Sequence, residues 1–535
     1  MNVLLIGGTG VFGSRLARLL IRDEHQVTLA ARNRARVQAL ASELGCDAIT
    51  LDRDGDLSGV VGFDVVIDAA GPFHTHGPDP YRLARAALKA GQHYLDLSDN
   101  AAFCAGIRAL DTEAQAAGRA AISGLSSVPA LSSAAVSALS AGARPEVIDT
   151  AILPGNRSPR GISVMTSILS QAGRPMRVWR SGAWEEVTGW SDPRMYDLPD
   201  GVRRQGWQIE VPDQSLFPAH FGADSVTFRA GLELAIMRYG LAAFALLRRF
   251  VRVPVNGFVV QVFKIAADLL SPFGSGRGGM SVMVVVAGER RYWRLLADDG
   301  DGPYIPAIAT RALLRRSVLP VGARPALDVI TLEEAEAAMS DLRVKTEVAS
   351  IPFQPIFPQV LGASFDALPD VVRKTHLTTD ISCWQGQARV RRGSSLWSRF
   401  LGGLFGFPPE ADEIDVEVVK AATPLGERWN RRFGSSRFRS FLAATPDGMT
   451  ERFGPFTFLL GLTVEEAALH FPVKSARVGP LPLPRWLLPV SIAREYEQGG
   501  RFCFDVKLHA PVTGDLLVHY QGQLSPAPCT EAPER

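Results

Sequence analysis

The chain has 535 residues, too many for one hydrophobic core, so two to four domains are expected. Its 57 Lys+Arg against 55 Asp+Glu leave a formal charge of +2, and the cations are scattered among acids. No basic patch or stripe supports a nucleic-acid surface. Five cysteines (Cys46, Cys104, Cys383, Cys503 and Cys529) are odd in number, far apart and without metal-ligand spacing. That argues against a disulfide framework or a metal site and for a reducing cytoplasm. A strand pattern starts directly after Met1, so no leader is expected.

Val3-Leu4-Leu5-Ile6 is an apolar run that meets glycines at once, and Phe12, Leu16, Leu19 and Leu20 then recur at helical spacing. A second strand over 26–31 precedes a helix over 35–44; a third strand covers 48–51 and a fourth 64–70. After the Gly71-Pro72 break come a helix over 81–90, a strand over 94–97, a helix over 103–117 and a strand over 120–123. This alternation predicts a parallel sheet covered on both faces.

From 147 to about 349 the pattern becomes α+β, with strands at 149–153, 281–286 and 292–296. The apolar stretch 232–273 is interrupted by Glu233, Arg238, Arg248, Arg249, Arg252, Lys264 and Asp268. It is too broken to span a bilayer, and buried or amphipathic helices are preferred to peripheral membrane contact. Thr331 with Glu334 forms a capping-box pattern for a helix that packs back on the first domain. The Pro-rich segment 351–358 reads as a hinge. Beyond it, glycine-punctuated runs at 452–460, 502–508 and 516–520 predict a mainly antiparallel β domain, and 525–535 a disordered tail. The expected domains are therefore 1–130, 131–350 and 351–524.

Gly7-Gly8-Thr9-Gly10-Val11-Phe12-Gly13 follows the first strand and opens the first helix, the context in which a glycine loop binds a dinucleotide. Glycines let the backbone approach a pyrophosphate, whose charge rests on the helix N-terminus, and Gly13 lets that helix lie close to the sheet. The first domain is accordingly read as a doubly wound Rossmann domain. Dinucleotide sites for NAD place an acid at the end of the second strand. Here Ala30-Ala31-Arg32-Asn33-Arg34 stands there, and Arg32, with Arg34 as a second candidate and Asn33 between them, suits the 2′-phosphate of NADP, or else either arginine caps a solvated loop.

Ligands of such sheets bind outside the carboxyl ends of the strands. Ala70-Gly71-Pro72-Phe73 sits there as a rigid turn beside the cofactor, followed by His74 and His76. Each histidine is either a proton donor during hydride delivery or an ordinary exposed loop residue; two histidines make no metal site. Alternation along the fifth strand puts Tyr94, Asp96 and Ser98 on one side, facing the same crevice. Asp96 or Asp99 then orients substrate or relays a proton, or else caps the next helix or bonds loop amides.

The series GGTGVFG, AARN, DAAGPF and YRLARAALKAGQHYLDLSD resembles the saccharopine-dehydrogenase-like oxidoreductases over 1–130, and more loosely to 345. The resemblance implies an NADP-binding Rossmann domain and a mixed domain that holds substrate and mediates dimerisation, making a homodimer an expectation. It assigns Gly7, Gly10, Gly13 and Arg32 to cofactor binding. True saccharopine reductases carry an Asp-Pro-Gly turn after the sixth strand, whereas this chain has Gly124-Leu125-Ser126-Ser127-Val128-Pro129-Ala130. Saccharopine is highly charged and the downstream segment is apolar, so a hydrophobic substrate fits better, as in the branch that resembles trans-acting enoyl reductases. The last part resembles a bacterial domain of unknown function fused behind such reductases. There Trp429, Arg431 and Arg432 either line an anion or lipid pocket or are a structural Trp with surface arginines. Two functions follow. One is an NADPH-dependent oxidoreductase acting on a C=C, C=N or C=O bond of an apolar small molecule. The alternative is a non-catalytic NADP-binding protein whose β domain binds a lipid or partner.

Overall fold

The first strand, β1 (Asn2–Ile6), is apolar because both of its faces are covered: Val3, Leu4 and Leu5 are fully buried. The structure, a computed structural model, describes residues 1–159, 161–404, 406–423 and 425–529. It divides into two compact units, Met1–Trp179 with Glu186–Ile351, and Arg180–Glu185 with the chain from Pro352 onward.

In the first unit β1 leads into α1 (Val11–Arg22), which buries Leu16, Ala17, Leu19 and Leu20 on one face. Then come β2 (Gln26–Ala31), α2 (Arg34–Leu44), β3 (Asp47–Thr50), β4 (Val65–Asp68), α3 (Arg82–Lys89), β5 (His93–Asp96), α4 (Ala101–Gly106), α5 (Asp111–Ala117) and β6 (Ala120–Ser123). The expected helix over 103–117 is thus two helices, separated by a 3-10 turn at Ile107–Leu110. The strands pair in parallel in the order β3-β2-β1-β4-β5-β6, which reverses direction between β1 and β4. That is the dinucleotide-binding order, with its switch point at the ends of β1 and β4.

The remaining elements of this unit are α6 (Ser132–Ser140), β7 (Val147–Leu153), α7 (Ile162–Gln171), β8 (Pro175–Arg180), β9 (Ala183–Thr188), β10 (Arg194–Asp197), β11 (Arg203–Gln208), α8 (Pro212–Phe221) and β12 (Ser225–Gly231). They continue with α9 (Ala235–Phe250), α10 (Gly257–Leu269), β13 (Gly278–Val286), β14 (Glu289–Ala297), α11 (Ile305–Leu314), β15 (Gly322–Pro325), α12 (Leu332–Ala338) and β16 (Val344–Pro352). A mixed sheet runs β10-β11-β12-β7-β13-β14-β16, whereas β15 crosses over to pair in parallel with β6 as a seventh strand of the first sheet. One apolar cluster runs from Val3 and Leu16 through Val282 and Trp293 to Ala335, so the two sheets share a core. The Thr331–Glu334 capping box forms, at 3.2 and 2.8 Å, and its helix packs on α11.

The stretch 232–273 forms α9 and α10. Among the described residues no helix is long and apolar enough to cross a membrane. Leu241, Ala245, Val260 and Ala267 face inward, yet Phe250, Phe258 and Leu269 are each more than 70% exposed. The mixed sheet is held by a buried ion cluster, in which Arg229 lies 2.9 Å from Asp149 and 2.5 Å from Asp192.

The second unit carries α13 (Ile356–Leu361), α14 (Asp370–His376), β17 (Ile381–Arg392), α15 (Leu396–Leu404), β18 (Ala411–Thr423), β19 (Gly426–Phe433), β20 (Ser436–Thr445), β21 (Gly448–Phe453) and β22 (Phe456–Leu460). After these come β23 (Thr463–Glu465), β24 (Ala468–His470), β25 (Val473–Val478), β26 (Leu481–Pro482), β27 (Val490–Gln498), β28 (Arg501–His509) and β29 (Leu516–Pro526). They form one antiparallel sheet ordered β23-β24-β27-β28-β29-β17-β18-β19-β20-β21-β22-β25-β26. The run 452–460 is two strands turned at Gly454-Pro455. Residues 351–358, read as a hinge, hold the end of β16 and the start of α13.

Two expectations fail here. The tail is ordered as far as it is described: Ser525 and Pro526 end β29 and Ala527 donates to Cys383 O, while residues 530–535 lie outside the described residues. Cys529 is joined to Cys383 in a disulfide, their Cα atoms 5.2 Å apart after a separation of 146 residues. Spacing along the chain carries no trace of a pairing made by sheet closure at that range.

Candidate functional site

The glycine loop turns because Gly7 has a φ of +75°, where a Cβ would lie 2.7 Å from the backbone of Ala69 and Ala70. A Cβ on Gly13 would overlap the Gly7 carbonyl, so only glycine lets α1 lie this close to β1. Gly10 N–H closes the loop on Gly7 O at 2.9 Å. Gly10 is also the N-cap of α1 and makes no side-chain cap, which leaves the first backbone N–H groups of the helix open to an anion.

A cleft of about 1400 Å³ opens over this loop. Pockets for one small molecule run to about 300–1,000 Å³, so the space admits a dinucleotide and a second ligand. Gly7, Thr9, Gly10, Val11 and Phe12 line it; Gly8 and Gly13 support the loop from behind, against Leu29 and Gly7. At its rim stand Arg32, Asn33 and Arg36. Arg32 is exposed, while Asn33 Oδ1 caps α2 by accepting from Arg36 N at 3.0 Å. Arg36 was absent from the sequence-based site. Its signal was a position one helical turn beyond Arg32, at the capped start of α2.

Ala70, Gly71, Pro72 and Phe73 form the opposite lip. Asp68 fixes this turn: it accepts from Ala70 N at 2.9 Å through Oδ1 and pairs with the buried Arg53 at 3.1 Å through Oδ2. Arg53 lines the cleft and was also missed, because nothing near it in sequence marks a buried cation. Phe73 packs on Phe103 and His76, with ring centres 5.1 Å apart in each case.

His74 and His76 both line the cleft. His74 is exposed. His76 is buried, its Nε2 has no hydrogen-bond partner among the described residues, and burial with Arg53 nearby lowers its pKa, leaving it neutral at pH 7.

Asp96 does not line the cleft. It is fully buried, and its Oδ1 accepts from Ser98 N, Gly124 N and Ser123 Oγ, each at 2.9 Å, tying the ends of β5 and β6 together. Burial pushes its pKa up to about 7 against those hydrogen bonds. Tyr94 and Ser98 are buried on the same side, and it is Leu97 and Asp99 that reach the cleft. Asp99 does not cap the next helix; Asn100 does, accepting from Phe103 N at 2.9 Å.

Beyond Ser126, Ser127 and Val128 the cleft turns apolar, with Met165, Phe228, Met237, Leu241, Phe263 and Leu295 among its walls. Among the described residues, the lining arginines stand at the end near β2 and β4, and the charged side chains lining the far part are Lys264, paired with Asp268 at 2.5 Å, and Glu210.

A glycine loop at the switch point of a doubly wound sheet, an open helix N-terminus and two rim arginines define a dinucleotide-binding protein. Residues 3–122 match the family described as the saccharopine dehydrogenase NADP binding domain, and residues 368–524 match a domain of unknown function, DUF4166. The N-terminal segment thus carries an NADP-binding domain of the saccharopine dehydrogenase type, as the resemblance implied, and the last part carries the expected domain of unknown function. No curated protein matches the chain. Among solved structures, apo saccharopine dehydrogenase (L-Glu forming) from Saccharomyces cerevisiae is 17% identical over 65% of this chain and 99% of its own, with a TM-score of 0.43. A probable dehydrogenase from Thermotoga maritima is 13% identical over 63% of this chain and 93% of its own, with a TM-score of 0.32.

Proposed function

We propose that the protein is an NADP(H)-dependent oxidoreductase that reduces a C=C, C=N or C=O bond in a largely apolar small molecule other than saccharopine. The observation that carries this is the continuity of one cleft, from the glycine loop and Arg32–Arg36 into a wall of Met165, Phe228, Leu241 and Phe263. Among the described residues the far part presents few charges to a multiply charged substrate, Lys264 being already paired and Glu210 standing alone as an acid.

Gly7 and Gly10 fit the cofactor because their missing Cβ atoms let the loop backbone line the cleft beside the uncapped N-terminus of α1, and Arg32 with Arg36 suits a 2′-phosphate. The bound cofactor supplies the hydride. The Gly71-Pro72-Phe73 turn, held by Asp68, fixes the lip against which substrate rests. His76 offers a neutral imidazole to polarise the reacting oxygen or nitrogen, and the exposed His74 exchanges protons with water. Asp96 holds the strand ends instead of handling protons.

Peripheral membrane contact belongs to the same reading. Met237, Leu241 and Phe263 line the cleft from α9 and α10, while Phe250 and Phe258 lie bare on those helices beside the exposed Arg249 and Arg252. Flotation with anionic vesicles that fails for Phe250→Asp/Phe258→Asp supports contact. A concentration-dependent dimer broken by the same pair shows a second copy covering the patch instead.

The test of activity is NADPH oxidation, followed at 340 nm, with apolar enoyl, imine and ketone compounds alongside saccharopine. Turnover confined to the apolar set is expected. NADPH binding without turnover of any compound would overturn the reading.

A further inference from the structure

The antiparallel sheet of the second unit encloses a cavity of about 210 Å³ that the dinucleotide site does not use. Its lining follows the two-residue period of a strand: Val418 and Lys420 on β18, Trp429 and Arg431 on β19, Ala493 and Glu495 on β27. Strands far apart in the sheet order, β22 through Phe458 and β27 through Ala493, reach the same space, so the sheet curls around it. Small β-barrels fill such an interior with side chains, and those that do not hold ligands.

Most of the wall is aromatic or aliphatic, yet charged residues occupy inward positions. Lys420 is 2% exposed; its Nζ donates to Thr375 O at 2.6 Å and stands 3.9 Å from the centre of the Trp429 ring. Arg431 donates to Ser440 Oγ at 2.7 Å and to Glu451 at 2.9 Å, and His376 Nε2 meets Glu495 at 2.5 Å. Putting an ammonium group at an inward sheet position is costly unless it is fully matched. Lys420 has three N–H donors, of which Thr375 takes one and the Trp429 face contributes a second, weaker attraction. Burial holds its ammonium below the usual range, with Glu495 and Glu427 pulling it back. The charged residues on the wall are Lys420, Arg431, Arg494, Glu451 and Glu495, with the buried Glu427 acting on Lys420 from beside the cavity and Asp505 3.6 Å from Arg494.

We propose that this cavity binds an amphipathic monocarboxylate, its apolar body against Phe438, Phe458 and Phe504 and its carboxylate at Lys420. The anion supplies an acceptor for the Lys420 donors that Thr375 leaves over. The volume exceeds the ~150 Å³ that takes benzene, so a body of about six to ten carbons fits. This site is independent of the oxidoreductase reading, since no NADP chemistry enters it.

The experiment is calorimetric titration of the lipid-stripped full chain with decanoate and with 1-decanol. Decanoate is expected to bind at least tenfold more tightly. Lys420→Met keeps the apolar stem and should abolish that preference while leaving decanol affinity unchanged. Ala493→Phe, which fills the cavity, should remove both ligands, with circular dichroism confirming that each variant folds. No saturable binding by the parent, or equal affinity for acid and alcohol, overturns the proposal even if neither variant folds. A folded Lys420→Met that retains the preference overturns the role of Lys420, and a folded Ala493→Phe that binds as the parent does overturns the cavity.

Discussion

The rim arginines give the sharpest measurable consequence. Arg32 and Arg36 line the cleft from the end of β2 and the first turn of α2, both open to solvent. In water a pair of unit charges about 4 Å apart is worth about 1 kcal/mol, and a phosphate monoester carries about 1.5 to 2 negative charges near pH 7. Each arginine therefore contributes about 1.5–2 kcal/mol toward a 2′-phosphate. Screening at physiological salt, with a Debye length of about 8 Å, reduces this to about one decade of affinity each. Arg32→Ala and Arg36→Ala should each weaken NADPH about tenfold, the pair of changes somewhat less than a hundredfold, and NADH should be unaffected throughout. Fluorescence titration of both nucleotides at two salt concentrations reads the effect, because the NADPH advantage should shrink as salt rises. A double variant that keeps the parent's ratio of NADPH to NADH affinity would show that neither arginine meets the 2′-phosphate.

Three further outcomes follow from buried groups. Burial sets the Asp96 pKa at about 7, above the ~3.9 of an unfolded chain, so its stabilising contribution is full below about pH 4 and drains away as pH rises to 7. Asp96→Asn keeps an acceptor for Ser98, Gly124 and Ser123; it should flatten stability across that window and preserve turnover, whereas lost turnover with an unchanged pH profile would restore Asp96 as the acid. Arg229→Met leaves Asp149 and Asp192 buried without their shared cation and should cost about 3–5 kcal/mol, seen as an early thermal transition; an unchanged midpoint refutes the cluster's role. Reducing Cys383–Cys529 opens a loop of 146 residues and should cost the second unit about 2–5 kcal/mol in denaturant titration, unless both thiols already react with a maleimide before reduction.

The Rossmann half was legible because its signals are local. Glycines that a Cβ would jam against Ala69 or Gly7 must recur at fixed spacing, and a parallel strand covered on both faces must be a short apolar run. The same double burial explains where the reading of β5 went astray. Alternation sorts Tyr94, Asp96 and Ser98 from Leu97 and Asp99, but in a strand with no wet face it does not say which set meets the ligand. Long-range pairings left no local mark: β15 beside β6, Arg53 beneath Asp68 and Cys529 against Cys383 are brought together only by the finished fold. In the β domain the signal was present and weak, since Lys420 and Arg431 are cations at positions where the period of two calls for apolar residues.

The acids at the carboxyl ends of the parallel strands show how this cleft divides its labour. Asp68 is spent on Ala70 N and Arg53, Asp96 on three donors from β5 and β6, and the amide of Asn33 on capping α2. Each therefore shapes the wall without presenting a free carboxylate to it, and the carboxylates that do line the cleft are those of Asp52, Asp54, Asp99 and Glu210. A site that must accommodate the negative charge of a dinucleotide gains from this, because an unpaired acid near the glycine loop would repel the phosphates across a short, poorly screened distance. The lining combines Arg32, Arg36 and Arg53 with Asp52, Asp54 and Asp99, carries Phe73, His74 and His76 at the lip, and turns mostly apolar further in. In the proposed oxidoreductase, proton traffic falls to His74 and His76, whose unequal burial gives the pair one neutral donor and one ring in contact with water.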